Sequence, residues 1–178
     1  MTETTADIVI GLGNVTLTDD GAGPLAAREV ARRLAARESA REDSREDSRR
    51  ATTVVELGLG GLALMEAMVG HRRAVVLDAL RTGRVPVGTV VELPFDHLGG
   101  SLHETSVHDL SLSAALEIGR IGGLPLPDDI HVLGIEVEDV TTFGETLTPA
   151  VADGLDGLVD RVLDLLASSD RPSRRTRQ

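Results

Sequence analysis

The chain is 178 residues long, enough for one domain with a single sizeable core, and it contains no cysteine, which excludes disulfides, thiolate metal sites, iron–sulfur ligation and a cysteine nucleophile. Trp and Tyr are absent and Phe occurs twice, so recognition by stacking bases or sugars on aromatic rings is excluded. The formal charge is −11 with every cation an Arg, and the body is more acidic still once a mixed-charge stretch at 38–50 and an Arg-rich tail at 171–178 are set aside, a field that repels nucleic-acid backbones and anionic membranes.

In chain order, a β-branched run at 6–10 closed by Gly11 predicts a first strand. Residues 1–6 carry no positive charge ahead of it, and no apolar run approaches the roughly 18 residues of a membrane span, so neither a secretory leader nor a membrane anchor is expected and the cytoplasm is the expected location. A helix follows at 24–37, with Ala27, Val30 and Leu34 on one face. The stretch at 38–50 repeats Arg-Glu-Asp-Ser and lacks apolar residues from 41 to 50, so it reads as a solvated insert. A strand at 53–57, a helix at 62–69 and a strand at 74–79 come next, and this alternation predicts parallel strands joined by right-handed crossovers. Only 80–86 separates the third strand from a fourth at 87–93, which predicts an antiparallel hairpin between those two. A helix at 110–121 and a strand at 131–137 precede the clearest helix, for which Thr148 is the expected N-cap and Pro149 the first residue. The expected fold is α/β: a three-layer sandwich with a five-stranded, mostly parallel sheet and helices on both faces. One domain spans 1–170, and 171–178 is a basic tail. The apolar face of the last helix is expected to lie on the sheet, leaving a monomer.

The first strand runs into Gly11-Leu12-Gly13-Asn14 and Thr18-Asp19-Asp20-Gly21-Ala22-Gly23. A dinucleotide fingerprint fits this turn poorly, because its third glycine falls at Thr16 and two acids stand where a pyrophosphate needs positive dipole. A Walker loop is excluded by the absence of Lys, and neither a His-Glu-x-x-His pair nor a Gly-x-Ser-x-Gly elbow occurs. Asp20 adjoins a helix start, and Asp78 closes the apolar run of the third strand at the edge where α/β folds gather ligands. His108 precedes a helix, and the chain from 95 to 107 is long enough to bring it back to that edge. Two carboxylates and one imidazole suit a divalent ion of the nickel or zinc kind with coordination positions left open. His71, His97, His103 and His131 read as structural.

This ordered set resembles the hydrogenase maturation protease family: the Gly11 to Gly23 turn, the Gly-rich stretch from Glu56 to Gly61, Asp78-Ala79, Ser106-Val107-His108-Asp109-Leu110, and the late Leu133-Gly134-Ile135-Glu136 and Leu147-Thr148-Pro149 segments. The resemblance implies an aspartic-type endopeptidase that trims the C-terminus of a nickel-iron hydrogenase large-subunit precursor and so activates that enzyme. It also implies that Asp20, Asp78 and His108 contact nickel already loaded in the precursor rather than a nickel bound tightly by the free protein. Gly58, Gly60 and Gly61 would position the substrate, and Asp20, Asp78 and Glu56 are the candidate general bases. Two departures stand out: Asp20 occupies a position commonly Glu, and Leu59 a position commonly Thr. A non-catalytic chaperone for the loaded precursor and a small nucleotide-binding domain are the alternative readings.

Overall fold

A computed structural model describes residues 6–39, 52–93 and 112–168. The 40–50 part of the charged insert and the 171–178 tail lie outside the described residues, as do His97, His103 and His108. Five strands, β1 (Asp7–Leu12), β2 (Thr52–Leu57), β3 (Arg73–Leu80), β4 (Val90–Leu93) and β5 (Asp129–Glu136), form one sheet in the order β2-β1-β3-β5-β4. Helices α1 (Ala22–Ser39), α2 (Gly61–Met68), α3 (Leu112–Ile121) and α4 (Pro149–Ala167) cover it. All pairings are parallel except β4 with β5.

β1 and β3 are buried at every position and, apart from Asp7, Arg73 and Asp78 toward their ends, are apolar on both faces, as central strands covered on two sides must be. Strand alternation divides the core. Val9, Val75, Leu77, Leu133 and Ile135 meet Ala26, Ala27 and Val30 of α1 and Val151, Leu158 and Val162 of α4. Ile8, Ile10, Leu12, Ala74, Val76 and Val132 meet Leu64, Met65 and Met68 of α2 and Leu112, Ala115 and Leu116 of α3. The expected three-layer sandwich is therefore present, and the apolar stripe of α4 lies on the sheet. Among the described residues no helix is long and apolar enough to cross a membrane.

The expected hairpin between the third and fourth strands is not formed. β5 inserts between them, pairing parallel with β3 and antiparallel with β4. The cause is Glu136, buried at the carboxyl end of β5. Its carboxylate accepts from the Thr82 hydroxyl at 2.7 Å and from the Gly83 N–H at 2.6 Å, and the Gly88 N–H donates to its carbonyl at 2.8 Å. These bonds carry residues 81–89 across the end of β5 and deliver β4 to its far side. At the opposite edge of the sheet, buried Arg73 pairs with buried Asp7 at 2.6 Å and donates to the Leu165 carbonyl at 2.8 Å, capping a carbonyl in the last turn of α4 together with the Ser168 hydroxyl at 3.0 Å.

Candidate active site

The turn after β1 brings Asp20 to the carboxyl edge of the sheet. Gly13 has a φ of 138°, a region open to glycine, and a Cβ there would collide with the Asp20 carbonyl oxygen. Gly11 is equally close-packed: its Cβ would lie 2.6 Å from the Gly23 carbonyl oxygen. These glycines are thus occupied by the close approach of strand, turn and helix. Asp20 itself is buried in a 3-10 turn, Asp19–Gly21, directly before α1. The Asn14 N–H donates to its Oδ2 at 2.8 Å, while the Asn14 side chain accepts from the Thr16 N–H and hydroxyl and so shapes the turn.

Asp78 is fully buried near the carboxyl end of β3, in register with Gly134 of β5 and on the same face of the strand as Ala74 and Val76. β1 and β3 run side by side up to the Gly11–Leu77 pair, so the turn bearing Asp20 leaves the sheet next to Asp78. Gly23 seals this junction. A side chain there would strike the carbonyl oxygens of both Leu12 and Leu77, so only glycine lets the start of α1 settle over the two strand ends. The structure therefore brings Asp20 and Asp78 to one edge. His108 lies outside the described residues, and Leu112, four positions on, packs with Leu12 and Val76 on the Asp78 face. Among the described residues no group of three metal-ligating side chains is assembled.

Glu56 ends on the neighbouring strand, β2, and is exposed. Both of its oxygens accept from Arg28 of α1 at 2.8 Å, a bidentate pair that raises the Arg28 pKa. Gly58 and Gly60 follow in the β2–α2 loop with open space where a Cβ would stand, and Gly61, at a φ of 58°, opens α2. A shallow cleft of about 240 Å³ runs from this loop to the Asp20 turn, lined by Gly13, Asn14, Val15, Pro24, Glu56, Leu57 and Gly58. Leu59 is 70% exposed beside it.

Of the other histidines, His131 lies between Glu92 at 3.2 Å and Asp129 at 3.0 Å, and His71 approaches the Thr53 hydroxyl at 3.4 Å, both away from this edge. The residue that sequence reasoning missed is Asp19. It is fully buried and accepts from the Thr148 N–H at 2.7 Å, the Thr148 hydroxyl at 3.0 Å and the Asp139 N–H at 3.4 Å. Its partners lie more than a hundred residues along the chain, so no local pattern announces it. Thr148 holds the expected N-cap position of α4, but its hydroxyl is turned to Asp19 rather than to the helix.

A profile described as hydrogenase maturation protease matches residues 28–165. The chain belongs to the hydrogenase maturation protease family. Family membership makes it a peptide-bond hydrolase. Within that family it is 29% identical over 167 residues to the hydrogenase expression/formation protein HupD of Bradyrhizobium diazoefficiens, covering 90% of this chain and 77% of HupD. The fold is that of the hydrogenase maturating endopeptidase HybD of Escherichia coli, with a TM-score of 0.70 at 21% identity over 93% of this chain and 94% of that one. The NiFe hydrogenase maturation protease HybD of Thermococcus kodakarensis superposes with a TM-score of 0.56 at 23% identity, covering 90% and 98% of the two chains.

Proposed function

We propose that this hydrogenase maturation protease removes a short C-terminal peptide from the nickel-loaded precursor of a nickel-iron hydrogenase large subunit, and that Asp20, Asp78 and His108 read the nickel as part of the substrate. The observation that carries this reading is the pair of buried carboxylates, Asp20 and Asp78, at the carboxyl edge of adjacent strands. Burying two acids side by side is costly unless a cation or hydrogen bonds balance them, which suits a site completed by an incoming metal. Three protein donors leave a nickel ion positions at which precursor ligands stay bound, so a precursor without the ion lacks the feature that draws it to this edge.

Hydrolysis needs a base to take a proton from water as it attacks the scissile carbonyl, and a route for that proton to the leaving amine. Glu56 is the weakest candidate, because both oxygens are engaged by Arg28. Asp20 and Asp78 are better situated. We assign the substrate peptide to the cleft between the Gly58 loop and the Asp20 turn, positioned by Gly58, Gly60 and Gly61; open space where a Cβ would stand on Gly58 and Gly60 supports this. The same reading has the protein act in the cytoplasm without nucleic acid or membrane, and as a monomer; only the last is supported by the burial of the apolar face of α4 on its own sheet.

The test is the intact mass of the nickel-loaded precursor before and after incubation with the protein. Wild type is expected to release one C-terminal peptide, while Asp20→Ala, Asp78→Ala and His108→Ala remain folded by circular dichroism and release none. An Asp78→Ala or His108→Ala enzyme that still cleaves at the wild-type rate defeats the assignment of those residues.

A further inference from the structure

The two adjacent acids of the β1–α1 turn do different work. Asp19 has its two oxygens filled by three donors, Thr148 N–H, Thr148 hydroxyl and Asp139 N–H, and its own N–H donates to the Asp139 carbonyl at 2.9 Å. The neighbouring backbone continues the connection: Thr18 N–H to the Thr142 carbonyl at 3.0 Å, Gly144 N–H to the Thr16 carbonyl at 3.0 Å, and a bridge between Leu17 and Phe143. The turn that carries Asp20 is thus stitched along its length to the loop entering α4, with a buried carboxylate, Asp19, at the last residue of the seam.

We propose that Asp19, through Thr148, is the positioning residue of this protease, fixing Asp20 at the carboxyl edge beside Asp78; this rests on the functional reading above. The chemistry favours division of labour. A carboxylate that takes three donors inside the protein has most of its roughly four acceptor sites occupied, which leaves less capacity for a metal or a water. One residue further on, Asp20 is rotated away from Asp19 by the tight 3-10 turn, and the backbone N–H of Asn14 anchors its Oδ2. Fixing a short Asp side chain to within about half an ångström depends on the backbone beneath it, and here that backbone is held from α4. The seam also bridges the two strands that flank β3, because Thr148 follows β5 and Asp19 follows β1. A displacement of the α4 N-terminus therefore moves Asp20.

The experiment compares wild type, Asp19→Ala, Asp19→Asn, Thr148→Val and Thr148→Ser in steady-state cleavage of the nickel-loaded precursor, with the exchange rate of the Asn14 amide proton followed by NMR. Thr148→Val removes one donor and keeps the shape of the side chain; it is expected to lower kcat at least fivefold with KM within twofold of wild type. Thr148→Ser restores the hydroxyl and is expected to restore kcat. Asp19→Ala is expected to lose tenfold or more, and Asp19→Asn, which still accepts from the Thr148 N–H, less. The Asn14 amide is expected to exchange at least tenfold faster in Thr148→Val and at the wild-type rate in Thr148→Ser. An unchanged kcat in Thr148→Val, or a loss that serine does not rescue, overturns the positioning role. Should Asp19→Ala fail to fold, the Thr148 pair decides. Should wild type leave the precursor intact, the functional reading fails, and the Asn14 amide alone then judges the seam: faster exchange in Thr148→Val upholds it and unchanged exchange overturns it.

Discussion

Two glycines at the sheet edge separate packing from function. A Cβ on Gly23 meets the backbone carbonyls of Leu12 and Leu77, which cannot swing aside, whereas a Cβ on Gly58 meets nothing within 4 Å. Gly23→Ala must lift α1 off both central strands, and overpacking of this kind costs about 3 kcal/mol. For a chain of this size the melting temperature is then expected to fall by roughly 6–12 °C, with cleavage lost as the Asp20 turn is displaced from Asp78. Gly58→Ala is expected to melt with wild type, within about 2 °C. If the Gly58 loop receives the substrate, the same variant slows precursor cleavage through KM. Thermal melts beside steady-state kinetics check both. A Gly58→Ala enzyme with unaltered KM removes this loop from the substrate path.

At the scale of elements, local pattern fixed what local forces decide. The β-branched runs, the 3.6-residue stripes of α1 and α4 and the Pro149 start lie close to where they were expected, because each is set by neighbours a few residues away. The placement of β4 was not legible, since it depends on Glu136, which takes Thr82 and Gly83 from more than fifty residues upstream. The site divides likewise. Asp20 and Asp78 could be nominated from their positions after strands, while Asp19 needed Thr148 to show its role. Surface ion pairs within and between elements add a small acid-sensitive part to the stability of the fold. Arg32 and Arg33 donate to Glu29 on α1 and hold its pKa down to about 2, and Arg33 reaches on to Asp156 and Asp160 of α4. On β4, Glu92 is lowered by Arg161 of α4 and then by His131. A carboxylate whose pKa is depressed by folding contributes stability that is complete above its unfolded value, near 4.5, and is lost as pH falls toward 2. The urea midpoint is therefore expected to decline across that window. Glu29→Gln is expected to flatten part of the decline, and added salt to shrink it, because the pair is open to solvent. A pH profile identical in Glu29→Gln and wild type assigns the acid sensitivity elsewhere.

For the whole molecule, the proposed function asks how one acidic protein would select a single state of its substrate. With a formal charge of −11 and two of its acids buried at the sheet edge, the free protein presents a strongly negative field to anything that approaches. Under the proposed reading, a precursor tail arriving without a metal meets this field uncompensated, whereas a tail arriving with a divalent cation brings positive charge to the edge that holds Asp20 and Asp78. Selection on that reading requires no separate inspection step, because the ion that marks a finished precursor would also complete the site that cuts it. Cleavage is accordingly expected only with the nickel-loaded precursor. Adding nickel to the protease alone is not expected to activate it toward the nickel-free precursor, since the ion must be held by substrate ligands to bring the peptide with it. Intact masses after incubation with loaded precursor, unloaded precursor, and unloaded precursor plus nickel-treated protease distinguish these cases. Equal cleavage of loaded and unloaded precursor would show that the buried carboxylates serve hydrolysis alone, and the role of nickel as the recognition mark would fall.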